Sequence, residues 1–342
     1  MRVLQIDSGR EWRGGQNQVR LLCRELAREG VDQVLVTKQG SELARRTMAD
    51  GGTEVAETSW GWGLDPRAWF RIDRLVSRFK PDILHAHDSH ALWMAPRDAD
   101  ARVVATRRVD FHVGRFSTWR STDRIIAISR AIKEILAADG VPATEITVIP
   151  SGIDPDEVHR EAVEPARVRA LLHLAANTPL AVNVAALVDH KDQRTLIRAA
   201  QHARAARPDL HWAIAGEGDL RGSLAAEIKR LGLADRVHLL GYVDRADALI
   251  READVFVMSS KEEGLGSVIL NALALGKAVV ATAAGGIPEI LPAANLVPVG
   301  DSAALAGKVV AMLEHPSTVP LPPQFTAAAM AQSVLAVYHS LV

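Results

Sequence analysis

Short β-branched runs alternate along the chain with longer stretches whose apolar residues return at helical spacing, the pattern of parallel strands covered by helices. In a first series, residues 3–6 predict a strand, and a Gly-bearing loop through Gly14 and Gly15 follows. Val19, Leu22, Cys23 and Leu26 then share one face of a helix over 19–29, which Gly30 ends. Strands are expected at 34–37, 83–86, 103–106 and 125–128. A helix over 66–79 carries Phe70, Leu75 and Phe79 near one side, and another over 129–138 is capped by Ser129. A second series begins near residue 179, with strands at 181–185, 212–215, 237–240, 255–258 and 278–281. Its helices fall at 193–206, 220–231, 266–275 and 302–313. Between the series, residues 148–165 hold Pro150, Gly152, Pro155 and Pro165, the composition of a hinge. A second breaker cluster at 315–323 precedes a last amphipathic segment, 326–341. The expected division is a first domain, 1–155, on which a terminal helix at 326–342 packs back, and a second domain, 156–324.

Composition fits two soluble α/β domains. The 342 residues are 48% hydrophobic and 24% charged, which excludes disorder. A formal net charge of −1 excludes nucleic-acid binding through whole-chain positive charge. That total hides an asymmetry: residues 1–150 hold 23 Lys and Arg against 20 Asp and Glu, leaving 17 against 21 in the rest. The first half is mildly basic, as a half facing an anionic partner would be. A single cysteine, Cys23, cannot form an internal disulfide and fits a reducing compartment. No apolar run reaches the roughly 20 residues of a membrane span, and the apolar run at residues 3–6 is too short for a signal-peptide core. The expected location is cytoplasmic, with peripheral contact at a membrane surface left open.

Three stretches carry candidate chemistry. In 260–277 a strand runs into an acidic, Gly-rich loop that opens a helix. Ligands of open α/β sheets sit outside the carboxyl ends of strands. The backbone N–H groups of Gly264, Leu265, Gly266, Ser267 and Val268 are therefore candidates to hold a phosphate, and Glu263 to meet ligand hydroxyls. The competing reading makes Glu262 and Glu263 a solvated helix start. In 84–90, His85 and His87 alternate onto one face of a strand while Asp88 turns away. Metal binding, a sugar or acceptor contact by His87, and simple packing are the alternatives. Arg107 and Arg108 end a strand, and further arginines follow, interleaved with Phe111, Phe116 and Trp119. They suit an anionic acceptor or bilayer surface, or are solvated charges around a core. The pair Asp98 and Asp100 reads as a solvated loop rather than a metal tag.

Taken in order, these segments resemble glycosyltransferase family 4, the "group 1" family of the GT-B fold. Glu263-Gly264-Leu265-Gly266, the run from Ala272 to Ala281, and Gly285-Gly286-Ile287-Pro288-Glu289-Ile290 are similar to its donor-site signature. Val148 to Asp154 resembles its interdomain segment, Gly216-Glu217-Gly218 its Gly-x-Gly turn, and Trp12-Arg13-Gly14-Gly15 its N-terminal loop. The resemblance covers nearly the whole chain and implies an α/β fold of two Rossmann-like parallel-sheet domains facing across a cleft. It implies a retaining, metal-independent transferase that moves a sugar from a nucleotide-diphosphate sugar, with no further cofactor, to an acceptor such as a cell-envelope glycan or glycolipid. By resemblance Lys191 holds the diphosphate, Glu263 contacts or orients the donor sugar, and Asn271 meets the ribose. Gly14, Gly15, Gly216 and Gly218 line the donor, and His87, Arg107 and Arg108 face the acceptor. Glu263, His87 and Lys191 are thus the expected catalytic set, with no metal. Two departures stand out: Asn271 replaces the family's second Glu, and Ala186 stands where an Arg is expected. They leave open a relative that binds a nucleotide sugar with impaired transfer. A hydrolase with a metal at the histidine cluster is the remaining alternative.

Overall fold

The computed structural model describes residues 1–61, 65–96, 100–114, 117–163 and 167–342. Asp98, Phe116 and Pro165, named above, lie outside the described residues. The chain divides into two units, one of Met1–Asp154 with Pro323–Val342, the other of Pro155–Pro322.

The first unit is built on β1 (Arg2–Ile6), β2 (Asp32–Lys38), β3 (Glu54–Thr58), β4 (Ile83–Ala86), β5 (Arg102–Arg107), β6 (Arg124–Ala127) and β7 (Ile146–Val148). They form one sheet in the order β3-β2-β1-β4-β5-β6-β7, all parallel. Its strands read as continuous apolar runs because helices cover both faces. The strand β3, Glu-Val-Ala-Glu-Thr, has two glutamates and sits at the edge, where one side stays solvated. The helix Gly14–Arg28 begins at the glycine pair itself rather than after it. The helix Pro66–Phe79 buries Ala68, Ile72 and Val76 and leaves Phe70 65% exposed, so Phe70 lies off its inner face. Ser129 caps the helix Arg130–Ala138 by accepting from the Ile132 N–H at 3.1 Å.

The terminal helix, Ala327–His339, belongs to this unit. Met330, Ala331, Val334 and Tyr338 join Val3, Leu22, Leu26, Ile83, Val104 and Ile149 in one core. Before it the returning chain is stitched to the outgoing one. Ile153 N donates to Phe325 O at 2.9 Å, and Ala327 N donates to Ile153 O at 2.8 Å. Gln18 spans both backbone groups of Gly152, and Arg24 pairs with Asp154 at 2.7 Å.

The second unit holds β8 (Leu180–Val184), β9 (His211–Ala215), β10 (Val237–Gly241), β11 (Val255–Met258), β12 (Ala278–Thr282) and β13 (Leu296–Val297). Their order is β10-β9-β8-β11-β12-β13, again all parallel. Trp212, Ile214, Val255 and Val280 form its core with Leu196 and Ile197 of the helix Gln193–Ala203 and Leu305 and Val309 of the helix Ser302–Glu314. Short helices at Pro155–Glu161 and Ala246–Glu252 fall in stretches that the sequence pattern left as connectors. Among the described residues no helix is long and apolar enough to cross a membrane.

Candidate active site

Each sheet reverses its strand order once, at β1/β4 in the first unit and β8/β11 in the second. The loops leaving those strands diverge and open a crevice. The candidate residues gather at these two places.

In the second unit the loop after β8 carries Lys191 and the loop after β11 carries Glu263. Lys191 Nζ lies 2.5 Å from Glu263 Oε2, although 72 residues separate them. Both side chains are largely enclosed, 17% and 12% exposed, so water screens the pair only in part. Ser260 Oγ donates to the same carboxylate oxygen at 3.1 Å, and Ser259 Oγ donates to Lys191 O at 3.1 Å. Lys261 N donates to His190 O at 2.8 Å, which joins the two loops through their backbones. Gly285 is packed against the carbonyl of Glu263 at φ +49°, where any side chain would strike it. Gly286 N donates to that carbonyl at 3.1 Å. Among the described residues the backbone N–H groups of Gly264, Leu265, Gly266 and Ser267 take no internal acceptor. They precede the helix Val268–Ala274, while the Leu265 side chain itself is buried. A lysine from one strand-end loop thus meets a carboxylate and a run of unspent N–H groups on another.

Gly216 and Gly218 lie against the loop after β8. The Gly216 backbone approaches the Ala185 carbonyl so closely, at φ +144°, that a Cβ cannot fit. Ala185 N and Leu187 N donate to Ala215 O and Glu217 O at 3.0 and 2.9 Å, zipping the β8 and β9 loops together. The Ala186 carbonyl accepts from the Gln193 side-chain amide at 2.9 Å.

Asn271 is held by a residue the sequence did not single out. Its Nδ2 donates to Asp247 Oδ1 at 2.7 Å. Asp247 is 5% exposed, and its pKa is raised to about 6, first by burial and then by the carboxylates of Glu161 and Glu157. Asn271 pulls it back down but does not restore it. The carboxylate missing at position 271 is present one contact further out, on the neighbouring helix.

In the first unit, His85 on β4 and His87 just past its end lie side by side, their ring centroids 4.2 Å apart. His85 Nδ1 meets Tyr338 Oη at 2.5 Å and its Nε2 meets Thr106 Oγ1 at 2.7 Å, so both ring nitrogens are spent. His87 Nε2 meets Gln5 Oε1 at 2.8 Å, and its Nδ1 faces Arg108 Nη2 at 3.5 Å. Burial drives both imidazoles toward the neutral form, His85 to about 3 and His87 well below the ordinary value. Asp88 is a helix cap: it accepts from Ala91 N at 2.8 Å and from Ser8 N and Oγ at 2.8 and 2.6 Å. Among the described residues no three His, Cys, Asp or Glu groups are placed to hold a metal ion.

Arg107 and Arg108 point different ways. Arg107 is 5% exposed and donates to the Phe111 carbonyl at 2.5 Å, with its guanidinium 5.0 Å from the Trp119 ring centre. Arg108 turns to the crevice, beside His87, Gly15 and Asp7. Its Nε is buried with no partner. Burial lowers its pKa to about 10 against the pull of Asp7. Asp7 accepts from Gly9 N at 2.9 Å, and its pKa is raised to about 6 by burial and by Asp88. Cys23 is buried and its thiol pushed up by burial, so it offers no ready nucleophile.

Two Rossmann-like parallel-sheet units of seven and six strands are the architecture of the GT-B class, to which the solved structural neighbours belong. The family comparisons agree in both halves. The model described as "Glycosyl transferases group 1" matches residues 168–330, and "Glycosyltransferase Family 4" matches residues 12–157. The chain is 30% identical over 267 residues to the lipopolysaccharide core biosynthesis glycosyltransferase LpsE of Rhizobium meliloti, covering 78% of this chain and 74% of that protein. It is 27% identical to the 2-deoxystreptamine N-acetyl-D-glucosaminyltransferase of Streptomyces fradiae, over 90% of this chain and 85% of the relative. The solved structure of Anabaena Alr3699/HepE with UDP and glucose superposes with a TM-score of 0.84 at 20% identity, covering 99% of this chain and 100% of that one. The chain belongs to the group 1 glycosyl transferases. It is a glycosyltransferase of GT-B fold.

Proposed function

We propose that the chain transfers a sugar from a nucleotide-diphosphate sugar to a cell-envelope glycan or glycolipid, with retention at the anomeric carbon and without a divalent metal. The observation that carries this is the Lys191–Glu263 pair set beside the unspent N–H groups of Gly264 to Ser267. An ammonium has three donors, and Glu263 occupies one. The others, with the N–H groups, would bind the diphosphate and offset the charge that grows on it as the glycosidic C–O bond breaks. Glu263, neutralised by Lys191, accepts from a hydroxyl of the donor sugar and orients it. Asn271 presents its carbonyl oxygen to the ribose, its amide nitrogen being engaged by Asp247. The acceptor oxygen attacks the anomeric carbon from the face that the diphosphate leaves, and its proton passes to the departing diphosphate oxygen. His87 and Arg108 bind the acceptor in the first unit.

The name of the LpsE relative supports an envelope acceptor. Phe70, Trp93 and Phe111 of the first unit, 65%, 46% and 62% exposed, suit a lipid-linked acceptor at a membrane surface. A second reading, a soluble aminocyclitol acceptor, is favoured by the length over which the 2-deoxystreptamine relative matches. The test is transfer from UDP-, GDP-, ADP- and CMP-sugars to a lipopolysaccharide-core acceptor and to 2-deoxystreptamine, in excess chelator, with the product anomer read by NMR. Retained configuration with the core acceptor supports the proposal. An inverted product, or activity that chelation abolishes, overturns it.

A further inference from the structure

We infer that Tyr338, on the terminal helix, is a positioning residue: it holds His87 in its Nε2–H tautomer and so turns an unprotonated Nδ1 toward Arg108. The first unit buries a chain of polar groups. His87, Gln5, Tyr338, His85 and Thr106 follow one another through hydrogen bonds, and each is at most 5% exposed. Tyr338 lies 253 residues beyond His85 and reaches it because the terminal helix packs into the first unit.

Taken alone, the chain is consistent in either direction. Imidazole, amide and hydroxyl can each donate or accept, so every proton could point forward or back. Arg108 breaks the tie. A guanidinium only donates, so the Nδ1 of His87 that faces it at 3.5 Å must carry the lone pair. His87 is neutral, and its one proton is then on Nε2, donated to Gln5 Oε1 at 2.8 Å. This places the Gln5 amide nitrogen toward Tyr338 Oη, at 3.5 Å. Tyr338 accepts from that amide, a donor, so its own O–H has His85 Nδ1 left as acceptor and donates to it. His85 in turn donates from Nε2 to Thr106 Oγ1 at 2.7 Å. Burial keeps the phenol protonated, so the donor at the centre of the chain is always present.

The consequence is chemical. Turned this way, His87 gives its one in-plane lone pair to Arg108 and carries no proton on that side. It accepts from a ligand hydroxyl where the ligand takes the place of the long Arg108 contact, and it cannot act as an acid there. Without the Tyr338 hydroxyl, Gln5 loses its acceptor and is free to flip, and both histidines can redistribute their protons. The inference rests on the proposed reading of His87 as an acceptor contact, and the experiment separates the two.

Ring-nitrogen NMR of the full chain, with wild type, Tyr338→Phe and His87→Ala, assigns the tautomers. In the wild type, His87 and His85 should both be protonated on Nε2 and bare on Nδ1. In Tyr338→Phe both rings should shift to mixed tautomers, and the acceptor KM should rise about three- to tenfold, the worth of one neutral hydrogen bond, with the donor KM unchanged. A proton on His87 Nδ1 in the wild type overturns the inference, and so do ring signals unchanged in Tyr338→Phe. The wild-type spectrum decides even if the variant fails to fold. An acceptor KM that His87→Ala leaves unmoved defeats the acceptor reading instead, while the tautomers still judge the relay.

Discussion

Lys191 and Glu263 neutralise one another at 2.5 Å, so neither substitution removes a charge in isolation. Lys191→Ala deletes a donor to the diphosphate and leaves a bare carboxylate where that diphosphate must sit. Binding of the preferred nucleotide sugar should weaken about 10- to 100-fold, the value of a charged hydrogen bond. Adding Glu263→Gln to that variant should recover part of the loss, because the repulsion goes with the charge; calorimetric titration reads both. Asp247 makes a stability prediction. Its folded-state pKa of about 6 lies above the ordinary 3.8, so ionisation opposes folding. Its contribution is fully present below about pH 4 and declines as pH rises through about 6, each tenfold difference in proton affinity being worth roughly 1.4 kcal/mol. Asp247→Asn should therefore stabilise the chain at pH 7.5 by on the order of 1–3 kcal/mol and flatten the fall between pH 4 and 7 in denaturant titrations. At this scale the sequence exposed Lys191, Glu263 and Asn271 because they sit at strand ends and in a family pattern. Asp247 and Tyr338 were hidden, since their importance lies in partners 24 and 253 residues away. Gln5, like His85 a polar residue inside an apolar strand, is a local signal that points to the relay.

Elements were legible wherever a helix or strand buried a clear face. The strands β1, β4, β9 and β11 appear within a residue or so of their expected bounds. The strand β3 escaped because its charged residues belong to a half-solvated edge, and the helix Glu42–Asp50 because it buries only Leu43, Ala44 and Thr47. The helix Pro66–Phe79 forms where its pattern predicts, with small and branched residues, Ala68, Ile72 and Val76, on its buried side. The Gly-x-Gly turn after β9 is a packing device between two loops. Gly216→Ala would force a Cβ into the Ala185 carbonyl and strain a backbone that only glycine tolerates. A loss of about 1–3 kcal/mol is expected, together with weaker donor binding, because the displaced loop carries Lys191. Unfolding and titration on one sample check both.

On the scale of the whole molecule, the chain runs through one unit, then the other, and returns. The returning helix is part of the first unit's core, where Met330, Val334, Val337 and Tyr338 are buried. Stopping the chain at Pro322 removes those side chains at a cost of more than about 5 kcal/mol. Calorimetry should then show the first unit's transition lowered or lost and the second unit's transition kept. A single unchanged transition would contradict that assignment. The proposed function requires the second unit to bind a nucleotide-diphosphate sugar through Lys191. Calorimetric titration of wild type and Lys191→Ala with UDP-, GDP-, ADP- and CMP-sugars measures this. The wild type should bind at least one donor saturably, and the variant should bind it about 10- to 100-fold more weakly. Binding of none, or equal binding by both proteins, would contradict it.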